Sequence, residues 1–204
     1  MNHVVAVAGP PGAGKSTLIH GLAQALTDAC AIHMDSYETM TQKPIAEIAQ
    51  WMNDGADIGA FSFPQLEQDL QRLRQGLTVM EPRTGREIAA RKYILFETQF
   101  GRAHRATGRN IDILIWLDTP LDVALARNVK KMTASVLREQ KVEKLAGRVQ
   151  WLDGYLDNYL HTVRSLMPMQ KEKVAAGADI VIDGGVALPE LVSFAAGEIR
   201  RRLP

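Results

Sequence analysis

A single cysteine, Cys30, leaves this chain without an intramolecular disulfide, which suits a reducing cytoplasm and makes a cytoplasmic location the expectation. Neither sign of charge is in excess. The 24 Lys and Arg residues stand against 23 Asp and Glu, a net charge of +1 over 204 residues. That balance implies no bulk attraction to nucleic acid or to an anionic membrane. Aromatic residues are scarce, and Trp51, Trp116 and Trp151 are read as packing residues rather than as a base-stacking platform. Long apolar runs are missing too. The longest clean one, Ile113 to Leu117, is far too short to span a bilayer. The first strand is expected to begin at residue 4, which leaves no room for a signal peptide ahead of it. His3, His20, His33, His104 and His161 show no paired metal-ligand spacing, and Cys30 has no second thiol. No structural zinc is therefore expected. There is no internal repeat and no low-complexity tract. The length suits one domain, 1–204, with a core large enough to need no staples.

What the chain does have is Gly9-Pro10-Pro11-Gly12-Ala13-Gly14-Lys15-Ser16-Thr17, which fits the phosphate-loop pattern G-x-x-x-x-G-K-[ST]. Ahead of it, Val4-Val5-Ala6-Val7-Ala8 reads as a buried strand. After it, Thr17 to Leu26 places apolar residues at helical spacing. Strand, glycine loop and helix in that order give the pattern a mechanism. Backbone N–H groups from Gly12 onward would point at a phosphate, helped by the positive end of the helix. Pro10 and Pro11 have no N–H to offer and would stiffen the first half of the loop. Lys15 would reach the β- and γ-phosphates of a nucleoside triphosphate, and the Ser16 hydroxyl would hold Mg²⁺.

Four further apolar runs read as buried parallel strands: Ala31 to Met34, Tyr93 to Phe96, Ile111 to Leu117, and Ile180 to Ile182. Helical stretches separate them, so the expected fold is α/β, a parallel sheet covered on both faces. Ligands of such sheets sit at the carboxyl ends of the strands. Acids stand there: Asp35, Glu97 and Asp118, with Asp183 after the last run. Asp35 can accept a proton from an attacking hydroxyl and can join the magnesium shell, and a helix-capping role would not exclude this. Glu97 is placed to orient a water on Mg²⁺. Asp118 precedes Thr119-Pro120 and reads as part of a structural turn. Thr119 is expected to cap the next helix, with Pro120 in its first turn. From Gln65 onward, Leu66, Leu70, Leu73 and Leu77 share one helical face. The stretch 53–63 has little periodicity, and Arg83-Thr84-Gly85-Arg86 reads as a turn between two short strands. Met132 to Arg148 is polar with little core pattern and reads as an exposed excursion. Arg127, Lys130, Lys131 and Arg138 are its candidate lid cations, able to meet the charge that phosphoryl transfer spreads over equatorial oxygens.

These features together resemble the uridine kinase and phosphoribulokinase branch of P-loop kinases. Gly9 to Thr17 is similar to the family's phosphate loop, and Asp35-Ser36-Tyr37 to its Asp-Ser-Phe-Tyr motif. Asp57 to Phe61 resembles its His-Pro-Asp-Ala-Phe-Asp region, and Tyr93 to Glu97 its strand ending Phe-Glu-Gly. Leu125 to Lys131 resembles the start of its lid, Leu-Ala-Arg-Arg-x-x-Arg. Thr162 to Pro168 and Ala178 to Gly185 echo its C-terminal pattern. The resemblance implies a three-layer P-loop kinase fold with a five-stranded parallel sheet and a helical lid at about 132–148. It implies ATP and Mg²⁺ and phosphorylation of a small-molecule hydroxyl. Lys15, Asp35, Arg127 and Lys131 become the catalytic candidates. Gly9, Gly12, Ala13, Gly14, Lys15, Ser16, Thr17, Asp183 and Gly185 become the nucleotide contacts, and Ser16, Glu97 and Asp35 the metal set. Asp35, Tyr37, Asp57, Arg83, Arg86 and Arg164 would face the acceptor, beside an insertion at about 53–90.

The departures bear on the acceptor. Glu38 replaces the family's tyrosine, Thr98 its glycine, and Ser62 its aspartate. Uridine kinases hold the base with a Tyr-Asp-Phe-x-x-His-x-Arg segment, and the matching stretch Val79 to Arg86 lacks both the tyrosine and the histidine. A pocket without those partners should reject uridine. Arg83 and Arg86 in their place point to an anionic acceptor, because arginine pairs bidentately with carboxylate or phosphate. A nucleoside monophosphate kinase is the second reading. A regulatory P-loop NTPase is a third, and the absence of Asn-Lys-x-Asp speaks against a guanine-specific switch. The partner expected is a small molecule, not nucleic acid or membrane, and a homodimer is left open.

Overall fold

The structure, a computed structural model, describes residues 2–37, 47, 50–51, 54–55, 57–139 and 141–203. The Glu38 departure and the start of the low-periodicity stretch at Asn53 lie outside these described residues.

Alternation along each strand builds two cores, because successive side chains point to opposite faces. In β1 (His3–Ala8), Val4, Ala6 and Ala8 face one layer, while Val5 and Val7 face the other. The same split recurs in β5 (Tyr93–Glu97), where Ile94 and Phe96 oppose Tyr93 and Leu95. β6 (Ile113–Asp118) repeats it, with Leu114 and Trp116 opposite Ile113, Ile115 and Leu117. With β2 (Ala29–His33) and β7 (Ile180–Asp183) these strands form one parallel sheet in the order β2-β5-β1-β6-β7. β1 therefore sits centrally, with β2 reached on one side and β6 on the other. That is where an open α/β sheet opens a crevice at its carboxyl edge.

Helices α1 (Lys15–Ala25) and α7 (Leu188–Arg202) cover one face, contributing Leu18, Leu22, Leu191 and Ile199. On the other face α2 (Pro64–Arg74) buries Leu66, Leu70 and Leu73 completely. Each of these leucines is worth roughly 1.5–3 kcal/mol of burial. Leu77, expected on the same stripe, lies past the helix end and is exposed, because the chain turns at Gln75 and Gly76. The short strands β3 (Val79–Met80) and β4 (Glu87–Ile88) pair antiparallel around Arg83 to Arg86, as the turn residues there predicted. α3 (Arg105–Gly108) is a single turn capped by the buried His104.

Thr119 does not cap the helix that follows β6. Pro120 occupies the cap position, and the Thr119 hydroxyl donates instead to the Ala13 carbonyl at 3.2 Å. The segment read as an exposed excursion and, by resemblance, as a helical lid at about 132–148 falls across two helices among the described residues. α4 (Leu121–Leu137) runs out and α5 (Val142–Asn158) runs back, tied by Asn128 to the Tyr155 hydroxyl and by Arg148 to Glu139. A wide π turn at Tyr159–Val163 then feeds α6 (Arg164–Ala175), which lies against the face that carries α2. Among the described residues no helix is long and apolar enough to cross a membrane.

Candidate active site

The phosphate loop rises from the end of β1 and is shaped by its glycines. Gly12 has φ +83°, and a Cβ there would collide with the Ala124 carbonyl of α4. Gly14 has φ +104° at the start of α1. Both positions are strained for any side chain. The loop is also fastened from outside. Ala13 O accepts from Thr119 and, at 3.3 Å, from Arg127, whose guanidinium also reaches Gly184 O at 3.0 Å. Arg127 thus joins the phosphate loop to the turn after β7. In that turn Asp183 Oδ1 accepts from the Gly185 N–H at 2.7 Å.

Lys15 is nearly buried, and its ammonium donates to Gly9 O at 3.0 Å and Pro10 O at 3.2 Å. Burial lowers its pKa, while the carboxylates of Glu97 and Asp35 pull it back up. Ser16 Oγ donates to Glu97 Oε1 at 2.9 Å. Glu97 is also paired through Oε2 with His33 Nδ1 at 2.6 Å, across the β2–β5 register that sets the two side by side. Burial pushes the Glu97 carboxyl up, but hydrogen bonds from His33 and Ser16 and the Lys15 charge outweigh it and hold it below the usual range. A hydroxyl and a carboxylate oxygen in contact beside a lysine suit Mg²⁺, which takes one or two carboxylates and fills its shell with phosphate oxygens and water. The donor set therefore fits that ion. Among the described residues no cluster of three or more His, Cys, Asp or Glu forms an all-protein metal cage.

Asp35 stands exposed in the single 3₁₀ turn Met34–Ser36 that ends β2, and its Oδ1 accepts from Gln99 Nε2 at 3.3 Å. Pro11, Gly12, Gly14, Lys15, Ser16, Thr17, Asp35 and Glu97 line one cavity of about 500 Å³ with Gln99, Arg127, Asn128 and Lys131. Most of the residues singled out for phosphate and metal are thus brought together. Neither Lys130 nor Arg138 lines it.

The acceptor candidates are dispersed. Tyr37 donates its hydroxyl to the buried Asp69 at 2.9 Å, and burial pushes its pKa up, reinforced by that hydrogen bond. Asp57 caps the turn Ile58–Ala60 by accepting from the Gly59 N–H. Arg86 pairs with the buried Glu81 at 3.5 Å and donates to Ala31 O, and Arg83 is exposed at the hairpin tip. Arg164 begins α6, exposed. None of these five lines the cavity that holds Asp35. Glu81 explains the hairpin's grip on the site: it accepts from Thr84 at 2.5 Å and from Ser36, next to Asp35. Asp118 accepts from Lys171 at 2.8 Å, a structural tie between β6 and α6.

Sequence reasoning missed His33, Gln99 and Asn128. His33 could have been found, since it is the strand residue directly before the turn that carries Asp35. Gln99 and Asn128 carry no local signal.

Comparison with known proteins is consistent with this geometry. The family model AAA_33, described as an AAA domain, matches residues 4–152. A curated uridine kinase from Psychromonas ingrahamii is 26% identical over 198 residues, which cover 89% of this chain and 87% of that protein. An unliganded sugar kinase from Janibacter sp. HTCC2649 is similar with a TM-score of 0.50 at 18% identity, over 98% of this chain and 95% of that one. The solved protein APE1195 gives a TM-score of 0.53 at 15% identity, over 100% and 97%. At those identities the two structural likenesses concern the fold alone.

Proposed function

The chain belongs to the AAA_33 family of AAA domains, and from that membership we propose that it is an ATP-dependent kinase, transferring the γ-phosphoryl group to a hydroxyl of a small metabolite. The observation that carries this reading is the meeting of Lys15, Ser16, Asp35 and Glu97 in one cavity at the carboxyl edge of the sheet. A switch protein needs the loop and a metal-orienting acid. An exposed carboxylate held by Gln99 on the far wall is what a kinase adds. The similarity to a curated uridine kinase supports the same class.

Each residue's part follows from its place. The N–H groups from Gly12 onward bind the β-phosphate, and Lys15 exchanges its contacts with Gly9 O and Pro10 O for phosphate oxygens. Ser16 and Glu97 would hold Mg²⁺, which offsets charge on the β- and γ-oxygens. Asp35 orients the acceptor hydroxyl and takes its proton as the new O–P bond forms and the bond to ADP breaks. Lys131 faces the same cavity from α4, where its charge meets the transferring group. Arg127 keeps the phosphate loop and the turn at Asp183–Gly185 in register, and the adenine lies against that turn.

An ADP-release screen of the purified chain over sugars, nucleosides, vitamins and small hydroxy acids tests the reading. Acceptor-dependent ADP release that is absent in Lys15→Ala supports it. ATP hydrolysis indifferent to every acceptor points to the regulatory NTPase instead.

A further inference from the structure

Glu97 is held at both of its oxygens, and only one of the two partners belongs to the phosphate loop. Ser16 Oγ donates to Oε1 at 2.9 Å. Oε2 lies 2.6 Å from His33 Nδ1. An ionised carboxylate can only accept, so Nδ1 carries the proton of that bond. The phosphate chemistry gives His33 no part of its own, and its side chain neither caps a helix nor joins two loops.

Strand pairing puts the histidine there. β2 and β5 run parallel, and His33 and Glu97 form the last pair of their register. Two residues earlier in each strand, Ala31 and Leu95 pack in the core that Leu18 and Leu22 of α1 share. Alternation therefore turns His33 and Glu97 to the same face, the one from which Ser16 at the start of α1 reaches Glu97. The next residue begins the turn that carries Asp35. The His33 side chain is 30% exposed and that of Glu97 13%. An imidazole so exposed adds little to the core. Among the described residues Glu97 is the only side chain to which it hydrogen-bonds.

We infer that His33 is a positioning residue for the metal site: it fixes Glu97 through Oε2, so that Oε1 stays on the Ser16 hydroxyl and that hydroxyl keeps its lone pairs for Mg²⁺. The inference rests on the kinase reading and adds a residue to its metal site. Mg²⁺ demands near-octahedral placement of its ligands and tolerates little misplacement. A glutamate free at one oxygen would swing, and the Ser16 proton would swing with it. Fixing the far oxygen removes that freedom before the ion arrives. Without His33 the shielded Oε2 would also lose its partner, which favours a turn of the carboxylate toward water. Outer partners of this kind orient metal ligands, and losing one typically costs 10–100-fold in metal affinity.

The test counts free Mn²⁺, which takes the same oxygen ligands as Mg²⁺, by electron paramagnetic resonance. Mn²⁺ is added to the full chain in excess over ADP, so that all the nucleotide is bound. His33→Ala should weaken Mn²⁺ binding roughly 10–100-fold, with the affinity for ADP alone unchanged. His33→Asn sets an N–H where Nδ1 stood and should restore most of the loss. His33→Leu fills the space without a donor and takes the place of His33→Ala if that variant fails to fold. In Glu97→Ala no carboxylate is left to position, so adding His33→Ala should cost nothing further. A merely structural partner would lower the Tm of the metal-free chain and leave Mn²⁺ binding as it was. Unchanged Mn²⁺ affinity in His33→Ala, with Glu97→Ala weakened, therefore overturns the inference. So does a loss in His33→Asn as large as in His33→Ala, or an equal loss in the Glu97→Ala background. Mn²⁺ binding untouched by Glu97→Ala removes the metal assignment and the inference together. No acceptor and no turnover enter the measurement, so a failure of the kinase reading shows separately, in the ADP-release screen.

Discussion

The phosphate end of the site is backbone fastened by side chains, whereas the end beyond Asp35 is side chain fastened by side chain. At the first end Gly9, Pro10, Ala13 and Gly184 offer carbonyls, and Lys15, Thr119 and Arg127 hold them. The phosphate loop itself is one contiguous stretch shaped by a few glycines, and Thr119 and Arg127 hold it from outside. At the second end Tyr37 meets Asp69, and Glu81 meets Ser36, Thr84 and Arg86. These partners come from three separate places: the turn after β2, α2 and the β3–β4 hairpin. A phosphate is the same in every nucleotide, and backbone N–H groups can hold it with almost any neighbours. An acceptor differs from enzyme to enzyme, and only side chains can be exchanged to suit it.

The sharpest way to break the contrast is at Lys15. Lys15→Ala should abolish transfer, since the β- and γ-oxygens lose their principal protein cation. Transfer within a few-fold of the parent in an ADP-release assay would remove the phosphate loop from the mechanism. Glu97→Gln should come next. It keeps the contact to Ser16 but removes the charge, so half-maximal activity should need roughly ten times more Mg²⁺. An unchanged magnesium titration would place the ion elsewhere.

At the acceptor end the expected effects are on stability. Glu81→Gln leaves Ser36, Thr84 and Arg86 facing a neutral amide and should cost about 1–3 kcal/mol in urea unfolding at neutral pH. Burial pushes the Glu81 carboxyl up, but the hydrogen bonds from Thr84 and Ser36 and the Arg86 charge hold it below the usual range. A lowered folded-state pKa gives stability that is present above the unfolded carboxylate pKa and is lost as the pH falls through the lowered value. The difference between parent and variant should therefore shrink below about pH 4. A difference independent of pH would mean that Glu81 acts by packing alone. The smallest effect belongs to Lys171→Met. Its bridge to Asp118 is exposed, so it should cost no more than about 1 kcal/mol, and less in high salt. A larger loss would make that bridge part of the frame that places α6.

The same contrast decides what could be read before the fold was known. The phosphate loop was legible because its residues are consecutive and strand and helix flank them. The strands were legible because both faces of the sheet are buried, so that their apolar residues run without interruption. Asp35 and Glu97 were legible as acids that close such runs. Gln170 was not, because a glutamine on a helix with little apolar face looks like surface, and only its place against Gln99 makes it buried. Arg127 was legible as a cation near phosphate, but its hold on two backbone carbonyls from distant loops has no local signature. The stretch 132–148 showed little core pattern because the two helices it spans bury few residues, which leaves few core positions to mark the period. Arg86 pairs with Glu81 for a tertiary reason as well. β3 and β4 bring a buried acid next to the arginine.

The role of Asp35 joins the two ends, and one comparison isolates it. Asp35→Asn keeps the shape of the side chain and its contact with Gln99 while removing the base. Measured with the first acceptor that supports ADP release, turnover should fall by roughly 10²–10⁴, with the dissociation constant for ATP unchanged. Weaker ATP binding with turnover largely kept would contradict the assignment and place Asp35 with the metal shell instead.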